Sequence, residues 1–157
     1  MAQKSTPLRS VTYSSLQDIF DDVLQLAQAP QLKTGGSLTA AQNIDHVRRL
    51  ITISRVGTSV KAPLWLRVVG KILKGSLGSK PVPSGFKIPA KLAAELIPPI
   101  TITLQEAVNN LKAEVALAKA PGSTNQASPV FGELGHEKWT KVHLRHAELH
   151  MSFIAVV

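Results

Sequence analysis

Along four long stretches of the chain apolar residues recur three and four positions apart, and polar residues fill the gaps. In the first stretch Leu16, Ile19, Phe20, Val23, Leu24 and Ala27 follow Ser14 and Gln17, which have the spacing of a capping box. The helix this predicts should stop near Ala29-Pro30, because proline cannot continue it. Thr39 and Gln42 repeat the box after Gly35-Gly36 and open a second helix through about Ser54. Ile44, Val47, Leu50, Ile51 and Ile53 cover a wide arc of that helix, which predicts deep burial. Thr103 and Glu106 form a third box, followed by the stripe Leu104, Val108, Leu111, Val115 and Ala118 and ended by Pro121-Gly122. The last helix should run from about Gly135 to the C-terminus, with Trp139, Val142, His146, Leu149, His150 and Phe153 on one face.

The segments between are less regular. Residues 62–74 read as a shorter helix with Pro63 at its start. From Gly75 to Pro99 the chain is rich in Gly, Pro, Ser and Lys, which predicts a long surface connection with one helical turn at Ala90–Leu96. A connection of that length is unusual as plain linkage and suits the wall of a site. Residues 122–130 read as loop. Strand signals are absent, since runs such as Ile100-Thr101-Ile102 are short and sit beside a helix cap. The prediction is an all-α four-helix bundle with a short extra helix and a long Lys/Pro/Gly-rich insert. Residues 1–157 should form one domain, with about 1–12 as an N-terminal arm.

Composition narrows the chemistry. A chain of 157 residues, 44% of them apolar, can bury a core without covalent staples. It has no cysteine, which excludes disulfides, thiolate metal sites and a cysteine nucleophile. A net charge of +8 raises nucleic acid or an anionic surface as partners. The densest basic group, Lys71, Lys74, Lys80, Lys87 and Lys91, lies among Gly, Pro and Ser without the interleaved aromatics of a stacking platform. Those lysines read as solvated, and a nucleic-acid partner is disfavoured. Met1–Ser5 lacks the apolar core of a signal peptide, and no apolar run approaches the roughly 18 residues of a membrane span. The expectation is a cytoplasmic protein without a membrane partner.

Histidine is the residue type left to carry chemistry. Four of the five, His136, His143, His146 and His150, lie on the predicted last helix. His146 and His150 are four apart, so their imidazoles project from one face a turn apart and can bind one ion. Two inward imidazoles without partners are costly in a core, and a metal would satisfy both if a third ligand came from a facing helix. His46, midway along the buried second helix and one turn from Gln42, is the candidate. The alternative is that all three are hydrogen-bonded core residues. His143 could compete as a ligand but sits nearer the edge of the stripe. His136-Glu137 begins a zincin-like pattern, but Thr140 stands where its second histidine should be.

The segment Gln42-Asn43-Ile44-Asp45-His46 resembles the second helix of the DinB-like proteins. Ser128-Pro129-Val130-Phe131-Gly132-Glu133-Leu134, then Trp139, then His146-Ala147-Glu148-Leu149-His150-Met151-Ser152-Phe153 is similar to the last part of one uncharacterised subfamily of them. The stretch from Leu73-Lys74 through Lys80-Pro81 to Pro89 resembles that subfamily's insert. The resemblance implies an up-down-down-up four-helix bundle, often a homodimer, with a divalent transition metal (Zn, Ni or Fe) on three histidines. Those positions are His46, His146 and His150. Two departures, Ser128 and Leu149 where the subfamily often has histidine, alter the polar surroundings and not the ligand set.

Three neutral imidazoles would leave coordination positions open for water or a thiol. Some relatives are thiol-dependent transferases or isomerases and others hydrolases, so a metal-dependent enzyme of hydrolytic or thiol-transfer type is implied, with a small-molecule or thiol substrate. The competing reading is a non-catalytic metal-stabilised bundle acting as a binding module. Asp45 and Glu148 are candidate bases or ligand supports, though solvent-facing charges are the simpler reading.

Overall fold

The computed structural model describes residues 6–79 and 89–157. It is mostly helical, with α1 (Leu16–Ala27), α2 (Ala40–Val56), α3 (Leu64–Leu73), α4 (Ala90–Leu96), α5 (Leu104–Ala118) and α6 (Gly135–Ser152). Two short strands, β1 (Leu32–Thr34) and β2 (Ile154–Val156), complete the described elements. No described helix is long and apolar enough to cross a membrane.

The boxes at Thr39/Gln42 and Thr103/Glu106 form as read, each with the hydroxyl accepting from the third residue's N–H and that residue's side chain accepting in return. The first box is one residue later than expected. Ser15 caps α1 with Asp18, whose carboxylate also accepts from the N–H of Ser14 at 2.8 Å. A charged acceptor at a helix N-terminus outcompetes the neutral Gln17 amide, which bonds Asp21 instead.

One core joins four helices: Ile19 and Val23 from α1, Ile44 and Ile51 from α2, Leu111 and Val115 from α5, and Ala147 and Met151 from α6. The main helix contacts are of α2 with α5 and α6, and of α1 with the same two. A second, smaller cluster holds the insert down, with Leu66 of α3 and Leu92 and Leu96 of α4 packed with Ile53 and Val130.

Two expectations are corrected. The chain is not free of strands: β1 and β2 pair antiparallel, Leu32 with Val156 and Thr34 with Ile154, so α6 stops at Ser152 rather than reaching the end of the chain. Three-residue strands this far apart carry no local signature, because the pairing exists only once the helices have brought the ends together. The arm is docked where it is described: Leu8 N–H donates to Ser152 O at 2.8 Å, and Arg9 holds Asp22 through both guanidinium NH groups. Lys80 and Lys87 of the basic insert lie outside the described residues.

Candidate metal centre

His46 sits on α2 one turn after the cap residues, while His146 and His150 lie a turn apart on the facing stretch of α6. The ring centroids are 5.0 Å apart for His46 and His146, 4.2 Å for His46 and His150, and 4.6 Å for His146 and His150. One nitrogen from each ring falls within 4.8 Å of the others, so the three could together hold a metal ion. His46 Nε2 and His146 Nε2 are 3.2 Å apart. Two nitrogens bound to one tetrahedral ion at about 2.1 Å stand about 3.4 Å apart, so that pair is already near ligand spacing.

The hydrogen bonds behind the rings decide which nitrogens are free. His46 Nδ1 lies 2.9 Å from Leu96 O, and a carbonyl only accepts, so Nδ1 carries the proton and Nε2 the lone pair. His150 Nδ1 lies 3.0 Å from Asn43 Oδ1. The Asn43 amide is oriented by its NH2, which donates to the carbonyls of Leu38 at 3.2 Å and Thr39 at 3.0 Å. His150 must therefore donate from Nδ1, leaving its Nε2 unprotonated. Such backing of ligand imidazoles by carbonyl or amide oxygens is a recurrent feature of metal sites. His146 lacks it, because its buried Nδ1 has no partner among the described residues.

The electrostatics keep the rings neutral. Burial holds His46 below its ordinary value of 6.5, His146 well below it and His150 down to about 3, and mutual repulsion lowers His146 and His150 further. Neutral imidazole is the ligand form. His46 is buried, whereas His146 and His150 keep part of their surface open to solvent.

His143 does not join the cluster. Contrary to its expected place at the edge of the stripe, it is 1% exposed and stacks on Trp139 at 5.3 Å. Its Nε2 lies 2.8 Å from Ser54 Oγ, whose hydroxyl donates to Ile51 O. His136 is occupied with Thr124 Oγ1 at 2.6 Å. The solvent-facing reading of Asp45 and Glu148 is also corrected. Asp45 is 0% exposed and accepts from Arg48 and Arg49, each at 2.8 Å. Glu148 is buried, accepts from Tyr13 N–H at 2.9 Å and pairs with Arg145. Neither reaches a histidine of the cluster. Two clefts, of about 720 and 340 Å³, are lined without any of the three histidines.

Sequence reasoning missed Asn43 and the Leu96 carbonyl. Asn43 could have been found, being one turn before His46 on the same helix. The carbonyl could not, since it reaches His46 only through the packing of α4.

No curated protein and no solved structure matches the chain. A family model does, over residues 5–156, nearly the whole of the chain that builds this helical core and its histidine cluster. On that match the chain belongs to the family described as Protein of unknown function (DUF1569).

Proposed function

We propose that this is a DinB-like protein in which His46, His146 and His150 hold a divalent transition metal, zinc, nickel or iron, for hydrolysis or thiol transfer on a small molecule. The observation that carries the reading is that the Nδ1 protons of His46 and His150 are committed elsewhere, which leaves their Nε2 atoms unprotonated, while one nitrogen from each of the three rings lies within 4.8 Å of the others. When bound, the ion supplies Lewis-acid polarisation of a water or thiol. The chain's own part is to hold three neutral nitrogens in place and to leave the side of His146 and His150 open to a substrate. Without cysteine, any thiol must arrive as a cosubstrate. The same resemblance supports one domain over 1–157, the up-down-down-up order of the helices and a homodimer.

A specific observation favours a second reading, a metal-stabilised bundle that binds a partner without catalysis. The carboxylates nearest the ligands in sequence, Asp45 and Glu148, are consumed in ion pairs, and the two clefts that Glu148 and Asp45 help to line take in none of the three histidines.

The test is the metal content of protein purified without chelator or histidine tag, beside His46→Ala and His146→Ala. About one equivalent of a transition metal, lost in both variants, supports the site. No metal in the parent after exposure to zinc, nickel or iron makes the histidines core residues and overturns it. Turnover of thiol or ester substrates by loaded protein then separates the catalytic reading from the second.

A further inference from the structure

We propose that α3 lies on an anionic lipid bilayer and attaches the protein to that surface peripherally. Leu66 and Gly70 alone are buried in this helix, and they form the stripe that seats it on the body. A Cβ at Gly70 would collide with the carbonyl oxygen of Val130, so the absence of a side chain lets the helix sit close and fixes which face turns outward. That outward face is apolar. Leu64 is 74% exposed, Trp65 67%, Val68 51% and Ile72 77%, at the spacing of one continuous helical arc. Exposed apolar side chains gathered on one short element mark a contact surface.

Charge chooses the occupant. No acidic residue occurs between Asp45 and Glu95, a segment that carries more than half of the chain's 18 Lys and Arg. Arg67 and Lys71, on α3 beside the apolar arc, are exposed and make no ion pair among the described residues. A second copy of the chain would bring these like charges together, whereas a bilayer of anionic lipid neutralises them. Trp65 belongs at headgroup level, and ten residues, about 15 Å of helix, give weak, reversible binding. The expectation of no membrane partner rested on the lack of a span, which an interfacial helix does not require.

The test floats the full-length protein with vesicles of phosphatidylcholine alone and of phosphatidylcholine mixed with phosphatidylglycerol. Binding is expected only to the mixed vesicles and should weaken as salt rises. Trp65 emission should shift to the blue and lose its quenching by iodide, while Trp139, 1% exposed, stays shielded throughout. Arg67→Ala with Lys71→Ala should weaken binding about 25-fold, at about fivefold per charge. Trp65→Ser with Ile72→Ser should abolish it without altering the thermal transition. Lys33→Ala with Lys112→Ala, both exposed and on other elements, is the control for net charge and should weaken binding far less. No binding to either vesicle, equal loss in the control, or self-association that shields Trp65 without lipid would overturn the proposal, the last by assigning the face to a second copy.

Discussion

Asn43 on α2 and His150 on α6 hold one another in a single orientation, with Nδ1 of the imidazole 3.0 Å from Oδ1 of the amide. The amide cannot turn over, because its NH2 is already given to the carbonyls of Leu38 and Thr39. Asn43→Leu should therefore release the His150 ring and weaken metal binding about 10- to 100-fold, as loss of a ligand's backing group typically does. Competition against a chelating dye reads this directly. Unchanged affinity would mean that His150 is oriented by packing alone, its edge-on contact with Phe153 at 6.0 Å being the available alternative.

The metal-free protein should lose stability as pH falls below neutrality. His143 and His150 are held neutral by burial, each lowered to about 3 from an ordinary 6.5. Between those values the unfolded chain binds more protons than the folded one. Their contribution is thus fully present above pH 6.5 and is lost progressively as pH drops toward 3. Each group adds a slope of up to about 1.4 kcal/mol per pH unit in that window. Thermal unfolding across pH 7.5 to 4.5 should show the fall. His143→Gln, which keeps a donor toward Ser54 and cannot titrate, should make it shallower.

Ser54→Ala separates core from site. The Ser54 hydroxyl donates to Ile51 O and accepts from His143, whose other ring nitrogen has no partner among the described residues. Removing it strands a buried N–H and should cost about 1–3 kcal/mol by urea denaturation. Metal content should be unchanged. A parallel loss of metal would show that His143 supports the cluster through α6.

Asp45→Asn tests whether the carboxylate beside His46 is structural. It ties Arg48 and Arg49 together along α2, with both guanidiniums partly exposed and the carboxylate wholly buried. Stability should fall by about 1–3 kcal/mol, less than for a fully buried pair because the stranded arginines can reach water. Metal affinity should change by less than about threefold, since Arg49 also holds Glu95 O and keeps the α2 to α4 contact. A larger drop would give Asp45 a role at the site.

Gly70→Ala should lower the thermal transition, because its methyl group meets the Val130 carbonyl and forces α3 off its seat at a cost of about 1–3 kcal/mol. It should leave metal content intact, since α3 is seated by Leu66 in the cluster with Ile53, Leu92 and Val130, which includes none of the three histidines. An unchanged transition would mean that the 128–132 turn yields instead, its Ser128–Gly132 bridge being the only backbone pairing there among the described residues.

The sequence by itself determined most of the helices and the membership of the histidine cluster. Capping boxes and apolar spacing are short-range rules, so Thr39/Gln42 and Thr103/Glu106 were legible without tertiary information. The i, i+4 pair His146 and His150 is equally local, and His46 followed from being the remaining histidine on a buried helix. Tertiary structure decided everything that joins distant segments. It moved His143 into the core with Ser54, made Asp45 and Glu148 buried ion-pair members, and paired Leu32–Thr34 with Ile154–Val156. It also chose the free nitrogen on His46, because the carbonyl of Leu96 is 50 residues away along the chain and adjacent only in the fold. Local spacing dictates which face of a helix a side chain occupies; what stands opposite that face depends on helix packing, and that is where tautomer, burial and partner are set.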